Sequence, residues 1–360
     1  MCNLLFYTRH QWLGASSRYR SIQFFPFLRD MGYAITHRPF FSDEYLRRRS
    51  SGKFTLFYTI YSFFRRGVSL LVDLRQADIV IIEKEVFPYL PAWSESLLRL
   101  SGKPLIYDYD DAIWHTYERL KPGYFRSILS CKIEKLVSEA NHVITGSHYL
   151  AAKCSEWGSA AVTLIPTTVP QSRYLGQGLN CEKSADIVWI GSMSTGQYLI
   201  PLLPVLVKLN EKFGTTVRLI GFPEQHFESL PSFFTILPWD PETEIAYLAS
   251  SRIGIMPLPD DDYERGKCGF KLIQYMGVGI PVVASPVGEN CFIVHSGVNG
   301  FLASSIDDWY KTLCQLLGDQ ALMDKLASSG YELFKKKYST ESAALKYQSI
   351  LQDVANIKKK

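Results

Sequence analysis

Several features that would assign this chain to a class of protein at once are missing from its sequence. Its 7 cysteines are scattered and never form a C-x-x-C pair, which argues against a disulfide framework or a zinc site and fits thiols kept reduced. No stretch approaches the roughly 20 apolar residues that a membrane-spanning helix requires. No G-x-G-x-x-G follows the first apolar run, which disfavours an NAD-dependent dehydrogenase.

The N-terminal segment and the overall charge also lack strong signals. Residues 3–7 form a short apolar run followed by Arg9 and His10, with neither a basic start nor a small-residue cleavage site. This pattern predicts a β-strand and not a signal peptide. The net charge of +4 is too small to indicate nucleic acid as a partner, and it suits an anionic ligand, an anionic membrane or an ordinary surface. The expected location is the cytoplasm, with peripheral attachment to the membrane's cytoplasmic face as an option.

What the chain does contain is enough apolar sequence for two domains. It has 360 residues, of which 47% are hydrophobic and 21% charged, a globular balance. Predicted strands cover residues 3–7, 79–83, 104–107, 143–145, 162–165, 186–191, 217–220, 253–256 and 281–284. Predicted helices cover residues 17–31, 148–157, 198–213, 242–250, 271–278 and much of the chain after 305. Such alternation predicts α/β architecture with parallel sheets, and the turn-rich segment 167–185 is the expected boundary.

The most informative stretch runs from Gly266 to Gly288. It reads as a glycine-containing turn, a helix, a Gly-x-Pro break and a short β-branched strand. Lys267 and Lys271 are four residues apart, so a helical first turn would place both on one face, where they could clamp a diphosphate beside the helix N-terminus. The alternative is that both lysines are simply solvated.

This stretch resembles the donor-binding signature of glycosyltransferase family 4, a retaining family of GT-B fold. Gly279-x-Pro281-Val-Val anchors the match. The positions of the family's two signature glutamates are then occupied by Gln274, which as an amide can still bind ribose hydroxyls, and by Gly266. Glu264 or Asp262 is the nearby candidate for the missing carboxylate.

Two further segments extend the resemblance. Residues 186–199 are similar to the opening strand and loop of the donor domain, with Gly191 and Ser192 as donor-binding candidates, although the family's usual basic pair after this loop is absent. The resemblance therefore implies that Lys267 and Lys271 replace that pair. Residues 285–290 are similar to the loop after the signature and add Gly288 and Asn290.

In the N-terminal half, residues 14–20 lie between the first strand and the first helix. A turn of small residues at a helix start is a suitable place for an anion, which Arg18 or Arg20 could reach. The segment is similar to the family's glycine-rich loop, and Arg18 is the preferred donor-binding candidate. The alternative is that Ser16 or Ser17 only caps the helix.

An acidic loop follows the strand predicted at 104–107. Asp108, Asp110 and Asp111 repel one another unless a ligand, solvent or cations relieve them, and strand carboxyl ends are where open α/β sheets bind ligands. The segment resembles an Asp-x-Asp-Asp variant in which Asp110 falls where many members carry an active-site histidine. Asp110 and Lys271 are therefore the catalytic candidates. The alternatives are an N-cap at Asp111 and a solvated turn, and no metal is expected because GT-B enzymes usually dispense with one.

One segment concerns location. Arg47–Arg49 and Lys53 precede an aromatic run containing Phe57, Tyr61 and Phe64, and Arg65–Arg66 follow it. Aromatic residues flanked by arginines are typical of an interfacial helix on an anionic membrane leaflet. The alternative is a helix that packs its aromatic residues inward.

The resemblance implies a GT-B protein with two Rossmann-like domains facing a cleft. Residues 1–170 would form the acceptor-side domain, 171–340 the nucleotide-sugar domain, and 341–360 a helix crossing back. The implied activity is retaining transfer of a hexosyl-type unit from a nucleoside diphosphate sugar to a saccharide or lipid-linked saccharide, in polysaccharide or glycolipid assembly. The sugar nucleotide is a co-substrate, and no cofactor is expected. The alternatives are an epimerase, a phosphorylase or a binding protein that has lost catalysis.

Overall fold

A computed structural model describes residues 1–121, 123–174, 181–192, 195–222 and 230–357 of the chain. The chain divides into two compact units. Unit 1 consists of Met1–Thr168, Gly266–Cys268 and Thr340–Lys360, and unit 2 of Val169–Arg265 and Gly269–Ser339. Part of the predicted boundary segment, residues 175–180, lies outside the described residues.

Unit 1 is built on a six-stranded sheet with the order β2-β1-β3-β4-β5-β6, in which every pairing is parallel. The strands are β1 Asn3–His10, β2 Ala34–Phe41, β3 Ile79–Glu83, β4 Leu105–Tyr109, β5 His142–Thr145 and β6 Val162–Leu164. The inner strands β3, β4 and β5 are buried along their whole length, as expected for a parallel sheet covered on both faces.

The helices of unit 1 connect these strands. They are α1 Ala15–Arg20, α2 Phe25–Asp30, α3 Asp43–Ser50, α4 Leu56–Gln76, α5 Ser96–Leu100, α6 Trp114–Glu118, α7 Gly123–Leu129, α8 Lys132–Ser138 and α9 His148–Glu156. The C-terminal helix Thr340–Ile357 also belongs to unit 1, where Tyr347, Leu351 and Val354 join the apolar cluster beneath β1 and β3.

Unit 2 contains a second six-stranded parallel sheet with the order β12-β11-β10-β7-β8-β9. The strands are β7 Ala185–Ile190, β8 Val217–Ile220, β9 Phe234–Leu237, β10 Ser251–Met256, β11 Val282–Ala284 and β12 Gly300–Leu302. The helices are α10 Gln171–Tyr174, α11 Leu203–Phe213, α12 Glu244–Ala249, α13 Asp262–Arg265, α14 Phe270–Gly277, α15 Asn290–Ile293, α16 Ile306–Gly318 and α17 Gln320–Leu333. The C-terminal helix of unit 1 is accordingly α18.

The predicted α/β architecture with parallel sheets is confirmed, but three strands were not predicted. These are β2, β9 and β12, and all three are edge strands of their sheets. An edge strand has fewer neighbours to satisfy, so it needs no continuous apolar run; β2 even contains Pro39, which is tolerated at an edge. The predicted helix 17–31 is also interrupted. Ser21 lies outside regular helix, and α2 begins afresh with Pro26 in its first turn.

The helix α4 corrects two expectations about the aromatic segment. Phe57, Tyr61 and Phe64 are exposed, so the alternative in which they pack inward is wrong. Arg66, expected to flank them at the surface, is buried, donates to the Thr8 carbonyl and lies over the Tyr7 ring. Across the described residues we find no helix with the length and hydrophobicity that a bilayer crossing requires.

Candidate functional site

Carboxylates of unit 1 collect where β3 and β4 end. Glu83 and Asp108 are paired in register across these two strands, and Asp110 follows two residues later. Both Glu83 and Asp108 are almost completely buried. Parallel strands align their carboxyl ends, so residues about 25 positions apart in the chain form one cluster of carboxylates. The negative charge of this cluster must be compensated by side chains from other elements.

Asp108 is compensated by Arg20 from α1. The guanidinium places Nε at 3.1 Å and Nη2 at 2.6 Å from Oδ1, and its Nη1 donates to the Ile165 carbonyl at 2.7 Å. Burial nevertheless outweighs the arginine and raises the pKa of Asp108 to about 6. Arg20, weighed in the sequence as an anion-binding alternative to Arg18, is thus engaged by a carboxylate of its own unit.

Lys84 compensates the other two aspartates and was not predicted as a site residue. Its Nζ lies 2.9 Å from Asp110 Oδ1 and 3.3 Å from Asp111 Oδ2. The residue has a positive φ of 65°, uncommon for a side chain other than glycine. Backbone strain of this kind persists only when the surroundings hold it, and it clusters at functional sites. A basic residue directly after a buried strand was the available sequence signal.

The ion pair also fixes the charge state of Asp110. Burial alone would favour the neutral acid, but Lys84, the Ser16 hydroxyl and Arg20 together outweigh it and lower the pKa of Asp110. Burial would lower the pKa of Lys84, but Asp110 and Asp111 outweigh it and raise that pKa. Asp110 is therefore a carboxylate near neutral pH, able to accept a hydrogen bond or a proton from a hydroxyl group.

Ser16 and Ser17 do not cap α1, so that alternative is wrong. The N-cap residue is Gly14, and both serines lie inside the helix. The Ser16 hydroxyl contacts Glu83 Oε1 at 2.7 Å and Asp110 Oδ2 at 2.5 Å, and the Ser17 hydroxyl donates to Glu83 Oε2. The alternative N-cap at Asp111 is also wrong, because α6 has Ile113 in that position.

Arg18, the preferred donor-binding candidate of this segment, is 2% exposed. Its guanidinium lies over the Tyr19 ring, 4.7 Å from the centroid, and its Nη1 is 3.5 Å from the Trp12 carbonyl. A ligand could reach it only after a change in its surroundings.

The short segment Gly266–Cys268 groups with unit 1. The Cys268 thiol donates to the Asp110 carbonyl at 2.9 Å, and the Ser147 hydroxyl lies 3.4 Å from the Gly266 carbonyl. The segment thus places the backbone of Gly266, which the resemblance aligns with the first signature glutamate of family 4, within the same unit as Asp110.

The predicted lysine pair does not share a helix face, and Lys267 belongs to unit 1 whereas Lys271 belongs to unit 2. Helix α14 begins at Phe270 with Gly269 as its N-cap, so Lys267 precedes the helix and only Lys271 lies in its first turn. Gly269 adopts φ +64°, a left-handed conformation that ends any helical continuation from the preceding residues.

Lys271 instead contacts Trp189, whose ring also lies against the predicted residue Gly191. Its Nζ lies 4.3 Å from the centroid of the Trp189 ring, a cation–π contact. A Cβ on Gly191 would be 2.2 Å from the same ring, so only glycine fits there. Trp189 therefore joins the loop after β7 to the first turn of α14, and the strand pattern gave no sign of this role. Ser192, next in the loop, is exposed and donates its N–H to Thr195 Oγ1 at 3.0 Å; residues 193–194 lie outside the described residues.

The loop after β11 lies close to α13 and α14. Gly288 has φ +53°, and a Cβ there would be 2.4 Å from the Arg265 carbonyl oxygen. Asn290 is buried and donates to the Ser285 carbonyl at 3.0 Å, while its Oδ1 would lie 3.5 Å from a Cβ on Gly269. Gly288 and Asn290 thus adjoin the turn that starts α14.

The signature position Gln274 is buried, and its Nε2 is 3.5 Å from the Tyr174 hydroxyl. Of the two carboxylates considered as replacements, Glu264 is buried and accepts a hydrogen bond from the Tyr198 hydroxyl, whereas Asp262 is an exposed partner of Arg265. Among the described residues, no group of three metal-ligating side chains is arranged to hold a metal ion.

The comparisons agree with this architecture. Residues 184–319 match the family model described as glycosyl transferases group 1. Sucrose-phosphate synthase from Thermosynechococcus elongatus is similar in structure with a TM-score of 0.71 at 16% identity, covering 98% of this chain and 99% of that one. HepE from Anabaena, in complex with UDP and glucose, gives 0.69 at 14% identity, covering 98% and 100%.

A glycosyltransferase from Rickettsia africae has a TM-score of 0.67 at 12% identity, covering 98% of each chain. Comparison with curated protein sequences gives no match. At such identities the structural likeness concerns the fold, and the two six-stranded parallel sheets with flanking helices are those of GT-B glycosyltransferases. The chain thus has the GT-B fold, and its residues 184–319 match the glycosyl transferases group 1 family model.

Proposed function

We propose that this protein transfers a sugar from a nucleoside diphosphate sugar to an acceptor hydroxyl. The observation that carries the proposal is the group formed by Lys271, Trp189 and Gly191 in unit 2. It lies where β7 ends and α14 begins, and open α/β sheets bind ligands at the carboxyl ends of their strands. An ammonium beside a helix N-terminus suits the negative charge that develops on a leaving diphosphate.

Unit 1 supplies the second half of the proposal. Asp110 is held as a carboxylate by Lys84 and Ser16 at the end of β4. In that state it can orient an acceptor hydroxyl or take its proton, which is the part of the reaction that the donor site cannot perform. Retention of configuration is proposed from the resemblance to family 4, and a role in polysaccharide or glycolipid assembly in the cytoplasm goes with it.

The donor is proposed to be a nucleoside diphosphate hexose, bound by unit 2 through Lys271, Gly191, Ser192, Gly288 and Asn290. Structures of HepE have been determined with UDP and with UDP-glucose, so UDP sugars are the first donors to test. The proposed acceptor is a saccharide or a lipid-linked saccharide.

The purified protein should be incubated with a panel of UDP, GDP and ADP sugars, with and without lipid-linked acceptors, and the free nucleotide and glycosylated product measured by mass spectrometry. Release of one nucleotide with matching product formation is the expected result. Absence of release with every donor and acceptor would contradict the transferase.

One observation favours a second function. Both signature glutamates are replaced, and Gln274 is buried against Tyr174. A protein that binds a sugar nucleotide without turning it over would retain these contacts. Calorimetric binding of UDP together with no nucleotide release would identify that binding protein.

A further inference from the structure

Helix α4 exposes a row of large apolar side chains that no part of the described chain covers. We call this row the α4 apolar face. It consists of Phe57, Ile60, Tyr61, Phe64, Val68, Leu71 and Val72, which are between 43% and 76% exposed. A set of this size on one helix is unusual for a surface that meets only water, and it marks a site of interaction.

The face is continuous because of its spacing. At 3.6 residues per turn the seven side chains fall within an arc of about 120° and extend over about 22 Å of helix. The opposite side of α4 is buried against the sheet through Ser69, Leu70 and Leu74. The helix therefore has one face that stabilises unit 1 and one that is available to a partner.

The face itself carries no charge, and exposed basic residues precede it in the chain. Every exposed described residue from Phe54 to Val72 is apolar or aromatic. The one carboxylate of α4, Asp73, is bound by Arg38 and Ser69. The preceding helix α3 and the turn after it present the exposed basic residues Arg47, Arg49 and Lys53.

The short helix α5 packs beside α4 and exposes apolar side chains of its own. Its Leu97 and Leu100 are 52% and 76% exposed, and Trp93 just before it is 70% exposed. Trp, Tyr and Phe are the residues that membrane–water interfaces favour, because a ring can sit among acyl chains with its polar edge at the headgroups.

We propose that the α4 apolar face docks on a lipid bilayer with anionic headgroups. An apolar stripe with aromatic residues would enter the boundary between headgroups and acyl chains, and Arg47, Arg49 and Lys53 would meet the anionic headgroups. A protein partner is less well matched, because it would need acidic residues at the rim of the interface to meet these basic residues. An anionic leaflet presents negative charge over its whole surface. Arg65 and Arg66 take no part, since both donate to backbone carbonyls of their own unit. This inference does not depend on transferase activity.

Flotation with vesicles tests the proposal in the absence of any sugar nucleotide, so its outcome is separate from that of the transfer assay. The wild type should float with phosphatidylglycerol-containing vesicles at low salt and much less with pure phosphatidylcholine. The combined variant Phe57→Ser, Tyr61→Ser and Phe64→Ser should reduce binding at least about tenfold. Leu345→Ser, which changes an exposed leucine on α18, is the matched control and should float like the wild type.

The basic residues are tested in the same way. The double variant Arg47→Glu, Arg49→Glu should weaken vesicle binding by more than about fivefold for each arginine removed. High salt should also weaken binding, because it screens the attraction to the anionic headgroups. Lys346→Glu on α18 is the control. Melting curves will identify any variant that fails to fold, and the arginine variants keep the test decisive if the aromatic variant unfolds.

Three results would overturn the proposal. One is no flotation of the wild type with anionic vesicles at low salt. The second is flotation that neither the aromatic nor the arginine variant reduces. The third is a dimer in sedimentation that the aromatic variant converts to a monomer, which would make the face an interface between two copies of the chain.

Discussion

At the scale of single residues, the feature that distinguishes this protein from a plain α/β scaffold is where its buried and partly buried charges lie. Lys84, Arg20 and Lys271 each come from a different element, and each faces an acidic group or an aromatic ring of the unit to which it belongs. Burying a charge is costly unless it is paired, so these arrangements constrain which substitutions the fold accepts.

We predict that Lys271→Ala will lower kcat/KM for sugar transfer by about 30- to 1,000-fold, the equivalent of roughly 2–4 kcal/mol, because one charge-assisted contact to the diphosphate is lost. The melting temperature should change little, since Lys271 is only partly buried over Trp189. Lys208→Ala, an exposed lysine on α11, is the control. Steady-state kinetics with unchanged kcat/KM for Lys271→Ala would contradict the assignment.

Lys84→Met should destabilise unit 1 by about 3–5 kcal/mol, because it leaves the largely buried Asp110 carboxylate without its cationic partner. Adding Asp110→Asn removes that carboxylate, so the double variant should recover part of the lost stability in urea unfolding. Activity should stay low in the double variant if Asp110 acts on the acceptor. Recovery of activity along with stability would show that the pair is only structural.

At the scale of elements, edge strands and glycine turns carry features that local pattern does not predict. The edge strand β2 contains His37, whose Nε2 is 2.8 Å from Thr8 Oγ1 and whose ring packs on Phe25. The turn before α15 depends on Gly288, and the break after α14 on Gly279. Each of these elements allows a quantitative prediction.

Burial, followed by the nearby arginines, lowers the pKa of His37 from 6.5 to about 4. Between these values the unfolded chain takes up a proton that the folded protein does not, so stability falls as the pH decreases. From pH 7.5 to 5.5 the loss should be about 1.3 kcal/mol for this residue. Urea unfolding of the wild type and of His37→Gln at both pH values checks this, and an equal pH dependence in the two proteins would contradict it.

Two alanine substitutions separate backbone strain from steric conflict. Gly279 and Gly288 both have positive φ, so alanine at either position should cost about 1–2 kcal/mol. A Cβ at Gly279 meets nothing within 4 Å, whereas at Gly288 it would lie 2.4 Å from the Arg265 carbonyl oxygen. Gly288→Ala should therefore have a clearly lower free energy of unfolding than Gly279→Ala. Equal losses in the two variants would contradict the steric argument.

At the scale of the whole molecule, the chain returns at its C-terminus to the unit in which it began. Helix α18 places Tyr347, Ile350, Leu351 and Val354 in the core of unit 1, next to residues of β1 and β3. Residues 347–354 thus contribute to the stability of the first strand, although more than 300 positions separate the two segments.

Leu351→Ala should cost about 2–5 kcal/mol of unfolding free energy, as expected for a cavity at a completely buried leucine. Hydrogen exchange should accelerate in β1 and β3 of unit 1, while β7 and β8 of unit 2 keep their protection. Leu345→Ala on the exposed side of the same helix should change stability by less than about 0.5 kcal/mol. Faster exchange in the unit 2 strands would show that the two units do not unfold separately.

The sequence by itself determined the alternation of strands and helices, the parallel sheets and the signature around Gly279 and Pro281. These are local properties, since periodicity, turn residues and short motifs are all read within about 20 positions. For the same reason the sequence placed candidate residues at strand ends and helix starts, where ligands of open α/β sheets bind.

Only the tertiary structure decided which residues those candidates contact. Lys84 and Asp110 are 26 positions apart and Trp189 and Lys271 are 82 apart, yet each pair is in contact. It also showed that Arg65 and Arg66 both bind backbone carbonyls and do not flank the exposed aromatic residues. Because α14 begins at Phe270, Lys267 and Lys271 do not lie on one helix face. Such contacts depend on how parallel strands align and how helices cover them. Packing between elements that are distant in the chain produces no periodic pattern of residues, so the sequence alone does not reveal it.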